Sequence, residues 1–467
     1  MLSRVDPCIL IYMIKPSIFK KYDIRGRYPS EIDPHVAEKI THAYLKTFKP
    51  DMVVVGHDPV KGSVSIYESV CSELAKHGVK VFKAGTVSTP MLYFASSHYR
   101  ISQGLMLTAS HLGPEYTGMK IVIKGIPPKP QQIVEMRGVA LDIADKAIDV
   151  DIHDYREPEI LSGLKVDYLN KLKTIVGEEA LNKYKVAIDV SNGPNGKLID
   201  QILSRFGLNA VAINEEVKAE HLAHETNPKI AENRVQLTEC VKQNNTDLGI
   251  IWDGDGDRAY FIDNLGEIIP PEFIGSQIGS YLIEKDYGSA MTIDVRGSAA
   301  VEKEVSRVGG TVKRIEAWHV PIKFEMDKDD SIVFGMETSG HYVFRDMYKA
   351  DDGLLASLMF LKALQENHRS LSDLLDEFRS QYLILEEINF ETLKTEAQVV
   401  EELQTNYSDG EINTIDGITI DYPDWRFNVR ASKSEPIIRL NISGSNFKKV
   451  RENLEKIKTV IGGKIHA

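Results

Sequence analysis

The sequence is poor in cysteine and carries no excess of basic residues. Its 56 Lys and Arg are outnumbered by 68 Asp and Glu, which gives a formal net charge of −12. That balance disfavours a nucleic acid or an anionic membrane surface as the main partner. The cysteines are odd in number and widely spaced, so they fit neither a disulfide framework nor a metal-binding motif; they are Cys8, Cys71 and Cys240. A reducing compartment is therefore expected.

Long apolar runs are also missing. No stretch approaches the roughly 18–20 apolar residues needed to cross a bilayer. The N-terminal "MLSRVDPCILIYM" has a short apolar patch, but Asp6 and Pro7 interrupt it and no small-residue cleavage site follows. We interpret residues 1–12 as an upstream extension and Met13 as a candidate functional start. The expectation is a cytoplasmic protein with no membrane partner.

The length and composition are those of a multidomain globular protein. At 467 residues the chain is too long for one hydrophobic core, so three or four domains of roughly 100–150 residues are expected. Hydrophobic residues make up 42% and charged residues 27%, which excludes the disordered and fibrous classes.

Three segments of the chain share one layout, which predicts three similar α/β domains. Each begins with a β-branched apolar run, continues through a helical stretch and reaches a second apolar run that ends in a polar loop. Unbroken apolar runs that alternate with helices indicate buried, largely parallel strands. Ligands bind outside the carboxyl ends of such strands, so each loop is a candidate site. The second runs with their loops are "GLMLTASH" (104–111), "LGIIWDGDGDR" (248–258) and "SIVFGMETSGH" (331–341).

The C-terminal segment follows a different pattern. The stretch "DGITIDYPDWRFNVRAS" (416–432) alternates as a hairpin does, and "NFKKVRENLEKIKTVI" (446–461) is a helix with Lys and Glu at i,i+4 spacing. Together they predict a smaller α+β domain. The expected α/β architecture is three domains with mixed, largely parallel sheets plus this one, at 13–155, 156–258, 259–370 and 371–467.

The loop "DGDGDR" at 253–258 has the character of a metal site. Aspartates at i, i+2 and i+4 project from one face of an extended backbone, and glycines let the chain curl so that the carboxylates converge. Carboxylate oxygens without softer ligands suit a hard cation, Mg²⁺ before Ca²⁺ or Mn²⁺. The predicted ligands are Asp253, Asp255 and Asp257.

Three alternative interpretations of this loop fit less well. Counted from Asp253, an EF-hand would need glycine where Arg258 stands and glutamate where Asn264 stands. A haloacid-dehalogenase-type phosphatase would use Asp253 as nucleophile, and Asp257 at the fifth position weakens that case without removing it. A solvated acidic turn needs neither glycine at both intervening positions nor an apolar strand before it.

The loop "TASHLGPEYTGMK" at 108–120 offers a candidate nucleophile, Ser110. A G-x-S-x-G elbow is absent, which disfavours an α/β-hydrolase. His111 follows Ser110 directly, and neighbouring side chains in extended backbone point apart, so His111 is a poor candidate for the base of this serine.

These loops together resemble one known family. With "YDIRG" (22–26), "GMETSGH" (335–341) and "RASKSEPIIR" (430–439), their order and spacing are similar to those of the α-D-phosphohexomutases, over about residues 16–465. The family includes phosphomannomutase/phosphoglucomutase and phosphoglucosamine mutase. The resemblance implies four domains around a central cleft, each of which contributes one loop to the active site.

The resemblance assigns catalytic roles. Ser110 matches the serine that carries a phosphoryl group, and an oxygen of that phosphoserine joins the three aspartates as a ligand of one Mg²⁺. The other matches near the reacting phosphate are the acid–base candidates Lys120 and His319, the neighbouring His111, and the cleft cations Arg25 and Arg258.

Two further groups match the family's substrate-binding loops. The first contacts the sugar hydroxyls and the second holds the phosphate that does not react. They are Glu337, Ser339 and His341, with Arg296 nearby, and Arg430, Ser432, Lys433 and Ser434.

The implied activity is the interconversion of hexose 1-phosphates and 6-phosphates. It proceeds through a hexose 1,6-bisphosphate, which also serves as activator, and the expected sugars are mannose and glucose. Phosphoglucosamine mutase is the alternative within the family, although its sugar loop typically has Asn where Thr338 stands. A phosphatase acting through Asp253 and an inactive sugar-phosphate-binding protein are more remote. The expected state is a monomer or a homodimer.

The chain departs from the family pattern in several places. Leu112-Gly113 replaces Asn-Pro after the Ser-His pair, and Ala317-Trp318 replaces Thr-Gly before His319. None of these changes removes the serine, the aspartates or Arg430. We therefore expect an active enzyme in which sugar preference is the property most open to change.

Overall fold

Four β-sheets, formed one after another along the chain, organise the structure. The computed structural model describes residues 14–143, 155–285, 287–432 and 436–466. The sequence interpretations of residues 1–12, Met13, Lys433 and Ser434 lie outside these ranges. No helix in the described part of the chain is long and apolar enough to span a bilayer.

The first sheet has six strands and four accompanying helices. The strands are β1 (Asp23–Arg27), β2 (Met52–His57), β3 (Lys80–Thr86), β4 (Gln103–Leu107), β5 (Tyr116–Ile123) and β6 (Glu159–Ile160). The helices are α1 (Pro34–Phe48), α2 (Lys61–Lys76), α3 (Thr89–His98) and α4 (Pro130–Ile143). The strand order is β1-β5-β4-β2-β3-β6; β2 runs parallel to β3 and β4, whereas β5 runs antiparallel to both of its neighbours.

The second and third sheets repeat this mixed pattern. The second has β7 (Lys185–Asp189), β8 (Asn209–Ile213), β9 (Leu248–Trp252) and β10 (Ala259–Asp263), with α5 (Leu164–Val176), α6 (Ile199–Phe206) and α7 (Val235–Asn244). The third has β11 (Ala290–Asp294), β12 (Thr311–Ile315), β13 (Ile332–Met336), β14 (Tyr342–Phe344) and β15 (Ala350–Asp351), with α8 (Pro271–Glu284), α9 (Ala300–Ser306), α10 (His319–Met326), α11 (Gly353–Glu366) and α12 (Leu371–Gln381). In both sheets the central strands are parallel and one edge is antiparallel.

The C-terminal sheet is antiparallel throughout. Its strands are β16 (Leu383–Ile384), β17 (Ile388–Glu391), β18 (Glu411–Asn413), β19 (Ile418–Asp421), β20 (Trp425–Ala431), β21 (Ile438–Gly444) and β22 (Lys464–His466), with helices α13 (Glu396–Asn406) and α14 (Phe447–Ile461). The predicted hairpin is confirmed as β19 paired with β20, and the predicted helix as α14.

Local sequence signals explain where several helices begin. Asp33 accepts a hydrogen bond from the N–H of Val36 at the start of α1, with proline at the first helical position. Thr395 and Gln398 form a reciprocal capping box at the start of α13. Asp352 caps α11 as Asp33 caps α1, because its side chain accepts a hydrogen bond from the N–H of Leu355.

Several apolar clusters stabilise the sheets. One cluster extends through the first three domains, with contributions such as Phe94, Trp252 and Phe334, and each of these domains also has a cluster of its own. The C-terminal sheet has a separate cluster around Phe427, in which Trp425 also packs. The predicted α/β fold, with three similar mixed sheets and a smaller α+β domain, is confirmed. The exact domain limits stay a prediction; the second sheet continues through Asp263.

Candidate active site

The serine loop leaves the carboxyl end of β4 and is held from two sides. Asp58, just after β2, accepts a hydrogen bond from the N–H of Ala109 at 2.8 Å. The hydroxyl of Thr108 accepts from the N–H of Ser110 at 2.6 Å. Ser110 is buried and has a φ of 57°. Its left-handed backbone turns the side chain out of the strand direction.

The expectation that the side chains of Ser110 and His111 point apart is wrong. Ser110 Oγ lies 3.3 Å from Nδ1 of His111. The expectation assumed extended backbone, and the positive φ at Ser110 removes that geometry. Burial, together with the charges of Arg258 and Arg25, lowers the pKa of His111 well below its usual value. A neutral imidazole therefore stands beside the serine.

The aspartate loop follows β9, and both of its glycines are needed where they stand. A Cβ at Gly254 would lie 2.6 Å from the carbonyl oxygen of Ser110, so only glycine lets the two loops approach. Gly256 has a φ of 76°, which favours glycine. The curl inferred from the sequence is confirmed, because the three carboxylates converge beside the serine loop.

The three aspartates fit a divalent cation. One carboxylate oxygen of each lies within 4.8 Å of the other two. Each aspartate is at most 1% exposed, and each has a buried oxygen with no hydrogen-bond partner: Oδ2 of Asp253, Oδ1 of Asp255 and Oδ1 of Asp257. Burial, and then the charges of the other two aspartates, raises the pKa of Asp253 well above its usual value. An all-carboxylate oxygen set of this kind suits Mg²⁺.

Lys120 is the cation that the structure places against these aspartates. Its Nζ lies 2.6 Å from Oδ2 of Asp255 and 2.5 Å from Oδ2 of Asp257. Burial alone would lower the pKa of Lys120, but the charges of Asp255 and Asp257 raise it. Arg25, brought alongside by the pairing of β1 with β5, donates to Oδ2 of Asp23 at 2.7 Å and 2.9 Å.

Two histidines of the third domain stack beside the aspartate loop. The rings of His319 and His341 are 4.3 Å apart and nearly parallel. Asp351 Oδ2 lies 2.6 Å from Nδ1 of His319 and 2.9 Å from Nδ1 of His341. Arg258 donates from Nε to Nε2 of His341 at 2.9 Å. The predicted residues of the second and third domains thus meet directly.

A buried lysine completes this cluster and was not anticipated from the sequence. Lys323 has no exposed surface, and its Nζ donates to Oδ1 of Asp351 at 2.5 Å. Burial works to raise the pKa of Asp351, but the charge of Lys323 lowers it well below its usual value. Lys323 follows His319 by one helical turn in α10, and that i,i+4 spacing was the available signal.

The sugar loop after β13 is tied to the turn after β11. Arg296 donates to Oδ1 of Asp294 at 2.8 Å and to Oε1 of Glu337 at 2.7 Å. Burial works to raise the pKa of Glu337, but the charge of Arg296 holds it at about 2. Ser339 Oγ is buried with no hydrogen-bond partner. Arg296, Ser339 and the neighbouring Tyr260 line a cavity of about 170 Å³.

Glu387 connects the sugar loop to the predicted phosphate loop, and sequence reasoning missed it. Its carboxylate lies 3.3 Å from Nη2 of Arg430, 3.4 Å from Nη1 of Arg439 and 3.9 Å from Nη1 of Arg296. Burial works to raise the pKa of Glu387, but the charges of Lys229 and of these three arginines keep it far below its usual range. No motif marks an isolated glutamate in "LEEIN", so only the fold reveals it. Ser432 hydrogen-bonds through its backbone N–H to Ile437.

The three tryptophans differ in how deeply they are buried. Trp252 is 1% exposed and donates to Ser357 Oγ at 3.0 Å, and Trp425 lies in the C-terminal core. Trp318 is only partly buried, with a φ of 149° and an edge-on contact to Tyr22 at 5.3 Å. Its backbone adopts a conformation that glycine favours.

Comparison with known proteins gives three family models that match in sequence order. They are described as Phosphoglucomutase/phosphomannomutase, alpha/beta/alpha domains I, II and III, and they match residues 16–142, 166–266 and 271–382.

Similar proteins extend over nearly the whole chain. The phosphomannomutase of Methanocaldococcus jannaschii is 31% identical over 449 residues, which cover 95% of this chain and 97% of the relative. The phosphomannomutase of Vibrio cholerae is 30% identical, with 95% and 98% covered. The solved structure of a phosphoglucomutase/phosphomannomutase family protein from Burkholderia thailandensis has a TM-score of 0.84 at 25% identity, with 97% of this chain and 100% of that chain covered.

Proposed function

The chain belongs to the phosphoglucomutase/phosphomannomutase family and is a phosphohexomutase, and from that premise we propose that it interconverts the 1- and 6-phosphates of mannose and glucose. Relatives at 31% and 30% identity are named phosphomannomutases. The solved structure at 25% identity is named for the glucose and mannose enzymes together. A phosphosugar is the substrate, and the hexose 1,6-bisphosphate is intermediate and activator.

One observation carries the proposal: an unbroken series of contacts joins the serine loop to the phosphate loop. Gly254 lies so close to the serine loop that a Cβ there would be 2.6 Å from the carbonyl oxygen of Ser110, and the aspartate loop reaches His341 through Arg258. The sugar loop that contains His341 reaches Glu387 through Arg296, and Glu387 contacts Arg430. A substrate bound along this series would have its reacting end at Ser110 and its other phosphate at Arg430.

Ser110 is the proposed phosphoryl carrier. A sugar hydroxyl attacks the phosphorus of phosphorylated Ser110, the new P–O bond forms as the P–Oγ bond breaks, and Ser110 is left as the free serine. The resulting bisphosphate turns round, and the reverse transfer from its other phosphate restores the phosphoserine. Asp253, Asp255 and Asp257 would hold Mg²⁺, which supplies charge neutralisation for the phosphoryl group.

His319 is the proposed base for the attacking hydroxyl. Its Nδ1 faces Asp351, so the lone pair of the neutral ring is at Nε2. Burial lowers the pKa of His319, in part against the charge of Asp351, so the unprotonated ring is available near neutral pH. Lys120 keeps its ammonium form because of the neighbouring aspartates. Its proposed role is to neutralise the charge of the phosphoryl group or to donate a proton.

The proposed binding site for the distal phosphate consists of Arg430, Ser432, Lys433 and Ser434. Arg430 is buried and already aligned by Glu387. Guanidinium groups bind phosphate through paired donors. Glu337 and Ser339, beside the cavity of about 170 Å³, are the proposed contacts to sugar hydroxyls.

The test is a substrate comparison on the full chain. Mannose, glucose and glucosamine 1-phosphates are each incubated with Mg²⁺ and a trace of the matching 1,6-bisphosphate, and 6-phosphates are followed by phosphorus NMR. We expect conversion of the mannose and glucose compounds, at least tenfold faster than the glucosamine compound. Faster turnover of glucosamine 1-phosphate would assign the chain to the alternative sugar. Release of inorganic phosphate without isomerisation would support a phosphatase.

A further inference from the structure

A cluster of metal-ligating side chains lies in the first domain, apart from the candidate active site. It contains His42 of α1, Glu73 of α2, and His77, which caps the end of α2. One ligand atom of each lies within 4.8 Å of the other two. Glu73 is 3% exposed and His42 is 9% exposed, so two of the three side chains are withdrawn from water.

The cluster stands at the edge of the first sheet opposite the serine loop. The first turn of α2 is beside that loop, because Ser63 Oγ lies 3.1 Å from the Thr117 hydroxyl. A rise of about 1.5 Å per residue puts Glu73 about 18 Å further along α2 from Lys61. The three residues therefore take no part in the site described above.

Two buried polar atoms in the cluster have no hydrogen-bond partner: Nδ1 of His42 and Oε1 of Glu73. They lie 3.7 Å apart, which is too long for a hydrogen bond. Oε1 of Glu73 is also 3.5 Å from Nδ1 of His77. Buried polar groups are nearly always satisfied, so two unsatisfied atoms that face each other call for a common partner.

The separations match the spacing of ligands around a tetrahedral metal. Zinc bonds of about 2.0–2.2 Å to nitrogen and oxygen place neighbouring ligand atoms about 3.3–3.5 Å apart. The observed 3.5 Å and 3.7 Å are close to that spacing. By contrast, Asp351 lies 2.6 Å and 2.9 Å from its two histidines, which are hydrogen-bond lengths. The wider spacing in the first-domain cluster leaves room for an ion among its ligands, which the spacing around Asp351 does not.

The electrostatics of the cluster also favour a cation. Oε1 of Glu73 is buried and accepts no hydrogen bond, and the ammonium of Lys76 lies 3.6 Å from the other oxygen, Oε2. A metal cation among the three side chains would offset the charge of this buried carboxylate. The C-terminal end of α2 carries partial negative charge that attracts cations.

We propose that His42, Glu73 and His77 form a binding site for a borderline divalent metal ion, Zn²⁺ first, that links α1 to α2. Two imidazoles and one carboxylate are a ligand set that zinc accepts, with water as the fourth ligand. In this structure Nδ1 of His77 lies 2.9 Å from the carbonyl oxygen of Glu73. Coordination through Nδ1, the atom that lies 3.5 Å from Oε1 of Glu73, would replace that contact.

The test is a titration of the metal-free full chain with Zn²⁺ in the presence of excess Mg²⁺. Magnesium prefers oxygen ligands and occupies the aspartate site, so zinc uptake reports a site that contains nitrogen. We expect one equivalent of Zn²⁺, and Co²⁺ in its place should give the intense visible absorption of tetrahedral cobalt. Zn²⁺ should also raise the melting temperature.

Matched variants locate the site. His42→Gln and Glu73→Gln should each weaken Zn²⁺ binding at least tenfold, whereas His35→Gln, an exposed histidine on the same helix, should leave it unchanged. Mutase activity with Mg²⁺ verifies that each variant is folded, because none of these residues belongs to the candidate active site. No zinc uptake by the wild type, or uptake unchanged in both His42→Gln and Glu73→Gln, would overturn the proposal. The second result would place zinc elsewhere, for example at the cluster around Asp351.

Discussion

Arg258 donates a hydrogen bond from Nε to Nε2 of His341, at 2.9 Å. Because arginine only donates, Nε2 is the acceptor, and the proton of the neutral ring is on Nδ1, which faces Asp351. The aspartate loop of the second domain thereby sets the tautomer of a histidine in the third. Among the described residues, no side chain donates to Nε2 of the stacked His319, so the two rings differ in whether this nitrogen can accept a proton.

Asp351→Asn should lower kcat by a factor of about 10²–10⁴ with little change in KM, since an acid–base contribution depends on the orientation of His319. The variant also leaves buried Lys323 without its counter-charge and should melt at a lower temperature. The double variant Asp351→Asn/Lys323→Met should recover melting temperature without recovering kcat. If kcat returned with stability, Asp351 would have only a structural role. Exposed Asp346→Asn is the control.

Ser110→Ala should abolish isomerisation and leave binding of glucose 1,6-bisphosphate largely intact. The hydroxyl is the proposed phosphoryl carrier, and its loss removes little of the binding surface. Activity is measured by the 6-phosphate formed, binding by calorimetry, and phosphorylation of the wild type by intact mass. A fully active alanine variant would refute the assigned nucleophile.

Lys120→Met should make the metal-free protein less stable and more responsive to Mg²⁺. Without the ammonium group, Asp255 and Asp257 lose the cation that offsets their charges. A cation that binds only the folded state at a hundred times its Kd adds about 2.7 kcal/mol of stability. The rise in melting temperature on adding Mg²⁺ should therefore be larger in the variant than in the wild type. Exposed Lys129→Met should respond as the wild type does, and equal responses in all three proteins would contradict the prediction.

Trp318→Gly should be more stable than Trp318→Ala, by about 1 kcal/mol. Both lose the contact to Tyr22, worth about 0.5–1.5 kcal/mol, but only glycine relieves a backbone strain of about 1–3 kcal/mol at a φ of 149°. The greater conformational freedom of glycine in the unfolded chain lowers the stability of the glycine variant by about 0.4–1 kcal/mol. Melting temperatures of the two variants are compared directly. An alanine variant as stable as the glycine variant would show that the strain is absent.

Glu272→Gln should stabilise the protein at pH 8 and change little at pH 5. Burial raises the pKa of Glu272 to about 7, so between its unfolded pKa and 7 the folded state binds more protons. Stability is then lost as the pH rises through that window, by about 3 kcal/mol in total. Glutamine removes this loss. Exposed Glu284→Gln, on the same helix, is the control, and melting curves at both pH values provide the measurement.

The sequence was sufficient for the order of strands and loops. Apolar runs that ended in polar loops became β4, β9 and β13, each with its loop at the carboxyl end. This worked because the apolar run and the loop that follows are local properties of the chain. The resemblance to the phosphohexomutases then located the loops that meet.

What the sequence could not supply depends on distant contacts. Glu387 has a role only because the fold brings Arg296 and Arg430 to it. Lys323 is identifiable only once Asp351 is known to be its buried partner. The relation between Ser110 and His111 was predicted wrongly because a single positive φ reversed a rule for extended chain.

The separate core of the C-terminal sheet affects which domains unfold together. Because one apolar cluster extends through the first three domains, a destabilising substitution in it is expected to lower the stability of all three together. The C-terminal domain has its own cluster, and we expect it to unfold separately. Such an event would remove Arg430 and leave the serine and the aspartates in place. The protein would then retain its cation site and lose its hold on sugar phosphates, so a partly unfolded population would be inactive without being metal-free.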